Sequence, residues 1–162
     1  MNRKCRELRL PSVPASISRV ENFIDEICEA YYITNSWYGN ILLAITEAVK
    51  NAIDHGNAND PEKTVKIIFK GIPNGLCFTV KDQGTGFDHE HIRSPLDVAE
   101  GSDYQSGNGI FLIRSLSDRV IFNRKGNQVD IVFYISSVNH ETTLNRVGQM
   151  QNYFSRQRTM AK

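Results

Sequence analysis

The amino-acid sequence predicts a two-layer α/β sandwich, a mainly antiparallel mixed sheet covered by helices on one face. Three observations predict it. Short stretches with strict apolar–polar alternation recur along the chain. Two longer stretches carry apolar residues at spacings of three and four, the mark of amphipathic helices. Two of the gaps between strands are short turns containing glycine, which join antiparallel neighbours. Strands with one apolar face and helices to cover it make a two-layer domain.

The elements follow in order. Residues 5–10 alternate, with Cys5, Glu7 and Arg9 facing away from Arg6, Leu8 and Leu10, and this strand ends at Pro11 and Pro14. From 16 to 31, the residues Ile17, Val20, Ile24, Ile27, Cys28 and Tyr31 form one helical stripe. Cys28 within it reads as a small core residue. A second helix is predicted over 36–55, with Thr34, Asn35 and Ser36 as candidate caps and Gly56 as the glycine that ends it. Its apolar face is Ile41, Ile45, Ala48, Val49 and Ala52. Residues 65–70 and 76–81 form a hairpin through Pro73, Asn74 and Gly75. A glycine-rich turn follows at 82–87, then about 20 weakly patterned residues, then a helix over 107–117 with Ile110, Ile113 and Leu116 inward. Residues 120–123 and 129–135 pair as a last hairpin through Lys125, Gly126 and Asn127. Tyr31, Tyr32, Trp37 and Tyr38 are expected at the junction of the first two helices, some of them exposed.

With 162 residues there is room for one ordinary domain, assigned to 1–136, followed by a polar tail over 137–162. In that tail Leu144, Val147 and Phe154 share a helical face. Hydrophobic residues make up 40% and charged residues 23%, as in an average soluble protein. Nineteen basic against 18 acidic side chains leave a net charge of +1, so nothing electrostatic points to nucleic acid or an anionic membrane. No apolar run approaches the roughly 20 residues that span a bilayer. The basic start, Met1 to Lys4, lacks the apolar core of a signal peptide. Cys5, Cys28 and Cys77 are an odd set without metal-binding spacing, which fits a reducing cytoplasm.

Three motifs carry chemistry. Along the second helix Asn40, Ala44, Glu47, Asn51 and Asp54 form a stripe beside the apolar face. A carboxylate and a carboxamide one turn apart suit a magnesium–phosphate site. The amide oxygen can ligate Mg²⁺, and the carboxylate can take a proton from an attacking hydroxyl. The second motif, Asp82-Gln83-Gly84-Thr85-Gly86-Phe87, follows a strand directly. Its glycines permit positive φ and close approach of a ligand, and Asp82 can accept a hydrogen bond from an adenine amino group. The third, Ser106-Gly107-Asn108-Gly109-Ile110, opens a helix, where free N–H groups favour phosphate. Between the last two, residues 94–106 contain Pro95 and Gly101 and read as a nucleotide lid, mobile without ligand.

The order and spacing of these motifs resemble the asparagine box and the two glycine boxes of the GHKL ATPases over roughly residues 5–136. Those ATPases include gyrase, large heat-shock chaperones, sensor histidine kinases and mismatch-repair ATPases. Within them the run from Leu43 to Gly56 is most similar to the anti-sigma-factor serine/threonine kinases. The resemblance implies the histidine-kinase-like fold, ATP and Mg²⁺ as ligands, and Glu47 as general base. It implies Asn51 as magnesium ligand and Asp82 as adenine reader, with Gly84 and Gly86 shaping the adenine pocket. It also implies nucleotide contacts from Asp54, Gly107, Asn108 and Gly109. The implied partners are a sigma factor and a small antagonist protein that is phosphorylated, and a homodimer is compatible. Where that family often has a larger or basic residue between the phosphate-binding glycines, this chain has Asn108. Two alternatives are a non-catalytic nucleotide-dependent module and a detached histidine-kinase catalytic domain. The intact Glu47 speaks against the first. The missing dimerisation hairpin and the two leading elements speak against the second. His89-Glu90-His91 lacks further ligands at metal-binding spacing and reads as solvated, and His140-Glu141 follows the domain, unlike a phosphoacceptor box.

Overall fold

The computed structural model describes residues 5–91 and 108–135. Strand β1 (Cys5–Pro11) leads through a 3-10 turn at Pro14–Ser16 into helix α1 (Ile17–Ala30), and helix α2 (Asn35–Asn51) follows. The hairpin β2 (Thr64–Ile72) and β3 (Gly75–Lys81) comes next, then helix α3 (Asn108–Leu116) and the hairpin β4 (Arg119–Phe122) and β5 (Gln128–Tyr134). The strands lie in the order β1-β2-β3-β5-β4, and all four pairings are antiparallel.

Register explains why one face is apolar. Leu8 pairs with Ile67, Ile67 with Val80, Val80 with Val129 and Val129 with Phe122, a row turned toward the helices. The neighbouring row, Glu7, Ile68, Thr79, Asp130 and Ile121, faces the other way, and Thr79 Oγ1 donates to Asp130 Oδ1 at 2.7 Å. Val20, Ile24 and Ile27 of α1 and Ile41, Ile45 and Val49 of α2 are fully buried against Ile67, Phe69, Phe78, Ile131 and Phe133. The rings of Tyr31, Phe69, Phe78 and Phe133 meet in succession at 5.1, 5.2 and 6.3 Å, each contact worth about 0.5–1.5 kcal/mol beyond burial. Cys28 is a core residue as expected, and burial pushes its thiol up to about 11, far from a reactive thiolate. Tyr31, Trp37 and Tyr38 pack against the core, and Tyr32 is exposed. Tyr38 donates its hydroxyl to Asp25 Oδ1 at 2.5 Å, tying α2 to α1.

The helical run from Thr34 to Gly56 has the expected extent, and each end carries a detail that the sequence did not show. Thr34 caps it without a side-chain bond to the backbone, because its hydroxyl is engaged with Ser36 Oγ at 2.8 Å. At its foot the α-helix stops at Asn51 and continues as a π turn, Ala52–Gly56, closed by the Asn57 N–H reaching back to Ala52 O at 2.8 Å. Such widened turns recur at functional sites. In the last helix Ile113 is buried, while Ile110 and Leu116 are half-buried. Among the described residues, no helix is long and apolar enough to cross a membrane.

Candidate nucleotide site

The polar stripe of α2 meets α3. A Cβ placed on Gly109 would lie 2.8 Å from Asn51 Nδ2 and closer still to Glu47 Oε1. The two helices therefore touch through a residue with no side chain, and that absence leaves Glu47 and Asn51 side by side under α3. Both are half-buried. The structure thus brings together three of the residues that the motifs singled out. Asn108, one residue earlier, is exposed on the same first described turn of α3.

A second cluster forms at the foot of α2. Asp82 follows β3 and is 9% exposed. Its backbone N–H donates to Asn127 O at 3.0 Å, extending the β3–β5 ladder by one bond, and Gly84 N–H donates to its Oδ1 at 2.7 Å. Burial raises the Asp82 pKa from its ordinary value, against the lowering pull of the Gly84 N–H and Lys125. The carboxylate rests on Gly56, where a Cβ would stand 2.5 Å from Oδ2. Gly56 ends the helical run as expected, though without the positive φ of a left-handed cap, and what requires glycine there is space for Asp82. Gly84 packs against Gly56 O for the same steric reason.

Only Gly86 of the paired glycines uses positive φ, at 81°. It lies against Lys125 O, and Gly126, at φ 78°, lies against Phe87 O. The glycine turn and the tip of the β4–β5 hairpin therefore pack backbone on backbone. Asn123 holds that tip, its Oδ1 accepting the N–H groups of Gly126, Asn127 and Gln128 at 2.8, 3.1 and 3.2 Å.

Of the remaining candidates, Asp54 sits exposed on the π turn. Gly107, the lid expected over 94–106, the tail over 137–162 and His140-Glu141 lie outside the described residues. His91 is exposed and pairs with Asp88 Oδ2 at 2.7 Å, but His89 is not a solvated side chain. Its ring stacks on Phe122 at 5.0 Å, and Phe87 meets Phe122 edge-on at 5.5 Å. The approach of β4 to the glycine turn, which no local pattern records, makes that cluster.

The family model described as histidine kinase-like ATPase domain matches residues 10–133. A serine-protein kinase, RsbW of Staphylococcus aureus strains JH9, Newman and JH1, is 27% identical over 136 residues. The match covers 80% of this chain and 86% of that protein. That family match spans most of the chain, and the chain belongs to the histidine kinase-like ATPase domain family.

Proposed function

We propose that the protein binds Mg-ATP and transfers the terminal phosphoryl group to a serine or threonine of a small antagonist protein, and that it also sequesters a sigma factor. The observation that carries the reading is that α2 and the π turn at its foot reach both clusters of candidate residues. Its middle presents Glu47 and Asn51 to Gly109, and its foot presents Gly56 to the Asp82 carboxylate. Similarity to a serine-protein kinase supports phosphoryl transfer to protein, and the partner classes follow from the resemblance of the α2 run to anti-sigma-factor kinases.

The residues present fit the ligands. Glycines at 56, 84 and 109 leave open the space that any Cβ would fill beside Asp82, Glu47 and Asn51. Asp82, kept acceptor-only above its raised pKa, accepts from an adenine amino group, and a guanine carbonyl there leaves it unpaired. Asn51 offers a carboxamide oxygen to Mg²⁺, with Gly107, Asn108, Gly109 and Asp54 as further nucleotide contacts. Magnesium, when bound, would neutralise phosphate charge, one part of the positioning and charge stabilisation on which this reaction class relies. Glu47 takes the proton of the attacking hydroxyl.

The test uses labelled ATP with purified antagonist-type proteins, and calorimetry with ATP and GTP. Glu47→Gln is expected to cut phosphotransfer by about 10²–10⁴ while ATP affinity stays near wild type. Asn51→Ala is expected to weaken magnesium-dependent binding as well as turnover. Wild-type transfer by Glu47→Gln to a verified substrate would remove the base, and equal affinity for ATP and GTP would remove the adenine reader.

A further inference from the structure

Asn57 stands directly after the π turn, outside every motif of the sequence. It is completely enclosed, as is Ser12, and its carboxamide is used in three directions. Nδ2 donates to Ser12 Oγ at 2.7 Å and to Thr64 O at 3.1 Å, and Oδ1 accepts the Gln83 N–H at 2.8 Å. One side chain thus joins the exit of β1, the foot of α2, the start of β2 and the glycine turn. Gln83 reinforces the junction, its Oε1 accepting the Thr64 N–H at 2.6 Å. A carboxamide supplies both donors and an acceptor, and no other side chain of this length does.

We infer that Asn57 is a positioning residue that sets nucleotide specificity, by fixing the direction in which Asp82 faces a bound base. This rests on the adenine reading of Asp82 proposed above. The peptide between Asp82 and Gln83 is held from both sides. Its N–H goes to Asn57, and its carbonyl accepts from Asn127 Nδ2 at 3.4 Å. The preceding Asp82 N–H goes to Asn127 O. With that backbone pinned and Oδ1 held by the Gly84 N–H, the carboxylate is left with one direction. Discrimination between adenine and guanine depends on that direction, because a hydrogen bond weakens steeply once it bends. Asn57 is enclosed and acts only through Gln83 and Asp82. Without its Oδ1 the Gln83 N–H loses its partner, and the turn is free to rotate toward another acceptor.

The experiment measures ATP and GTP dissociation constants, melting temperature and Gln83 amide exchange for the full chain and two variants. Asn57→Ala and Ser12→Ala each break a buried hydrogen bond, and both are expected to melt lower. Only Asn57→Ala is expected to lose the ATP-over-GTP preference, by roughly tenfold, together with slow exchange at the Gln83 amide. Ser12→Ala spares the Gln83 bond and is expected to keep the preference within about twofold. Asn57→Asp keeps an acceptor for Gln83 and is expected to restore most of the preference. If Asn57→Ala does not fold, Asn57→Ser, which cannot reach Gln83 but keeps a polar group in place, takes its part. A folded Asn57→Ala or Asn57→Ser with the wild-type preference overturns the inference and leaves Asp82 as the reader. Equal wild-type affinities for the two nucleotides overturn the adenine reading, and this inference with it.

Discussion

Replacing Gly56 by alanine separates two reasons for a glycine at the end of a helix. The added Cβ would lie 2.5 Å from Asp82 Oδ2 and 2.9 Å from Oδ1, whereas ordinary contact begins at 3.4 Å. The carboxylate must therefore retreat by about 1 Å. It has little freedom to do so, since Oδ1 is held by the Gly84 N–H and the residue's backbone by Asn127. Overpacking of this kind costs about 1–3 kcal/mol. In a domain of this size that lowers the melting temperature by about 2–10 °C. A hydrogen bond to a charged group is worth about 1.5–3 kcal/mol, so losing the base contact weakens ATP binding by roughly 10- to 150-fold. Calorimetry with ATP and thermal melting of the free protein read both effects. Gly56→Asn sharpens the test, because asparagine is tolerated in left-handed helix caps. Here it is expected to be at least as damaging as alanine. Wild-type melting and ATP affinity in Gly56→Ala, or rescue by asparagine, would refute the steric account.

Two further predictions follow from buried polar groups. Burial holds the folded pKa of Asp82 above its unfolded value, so the native state takes up a proton as pH falls through that raised value. The desolvation penalty is therefore full at neutral pH and relieved by acid, and ligand-free Asp82→Asn is expected to melt no lower than wild type at pH 7. ATP affinity, which needs the carboxylate, is expected to fall on acidification at a pH above the ordinary aspartate value. A titration midpoint at or below that ordinary value contradicts the buried environment. Separately, Thr46 Oγ1 is buried without a hydrogen-bond partner among the described residues. Thr46→Val removes the desolvated hydroxyl at similar size and helix propensity, and is expected to gain up to about 1 kcal/mol. A clear drop in melting temperature would show that the hydroxyl has a partner in solution.

The elements were legible in the sequence because local physics decides them. Alternation at period two put Leu8, Ile67 and Val80 on one face, and spacing of three and four put Ile24, Ile27, Ile41 and Ile45 on another. Glycines beside turn-forming residues marked the hairpins. The candidate site was marked in the sequence as motifs whose residue types suit phosphate, magnesium and base, and the structure brings Glu47, Asn51 and Gly109 together. Tertiary structure alone decided why particular residues stand where they do. Gly56 does end the helical run, but what requires glycine there is space for Asp82, because the clash that forbids a side chain comes from a residue 26 positions away. Gly109 is bare because Glu47 and Asn51 come up beneath it from α2. Asn57 carried no local signal at all. Its four neighbours, Ser12, Ala52, Thr64 and Gln83, meet only when the first strand, the foot of α2 and the sheet are assembled. Periodicity and composition report what a residue shares with its neighbours along the chain. Fit, clamping and desolvation are set by neighbours in space, and those exist only once the sheet and helices have closed on one another.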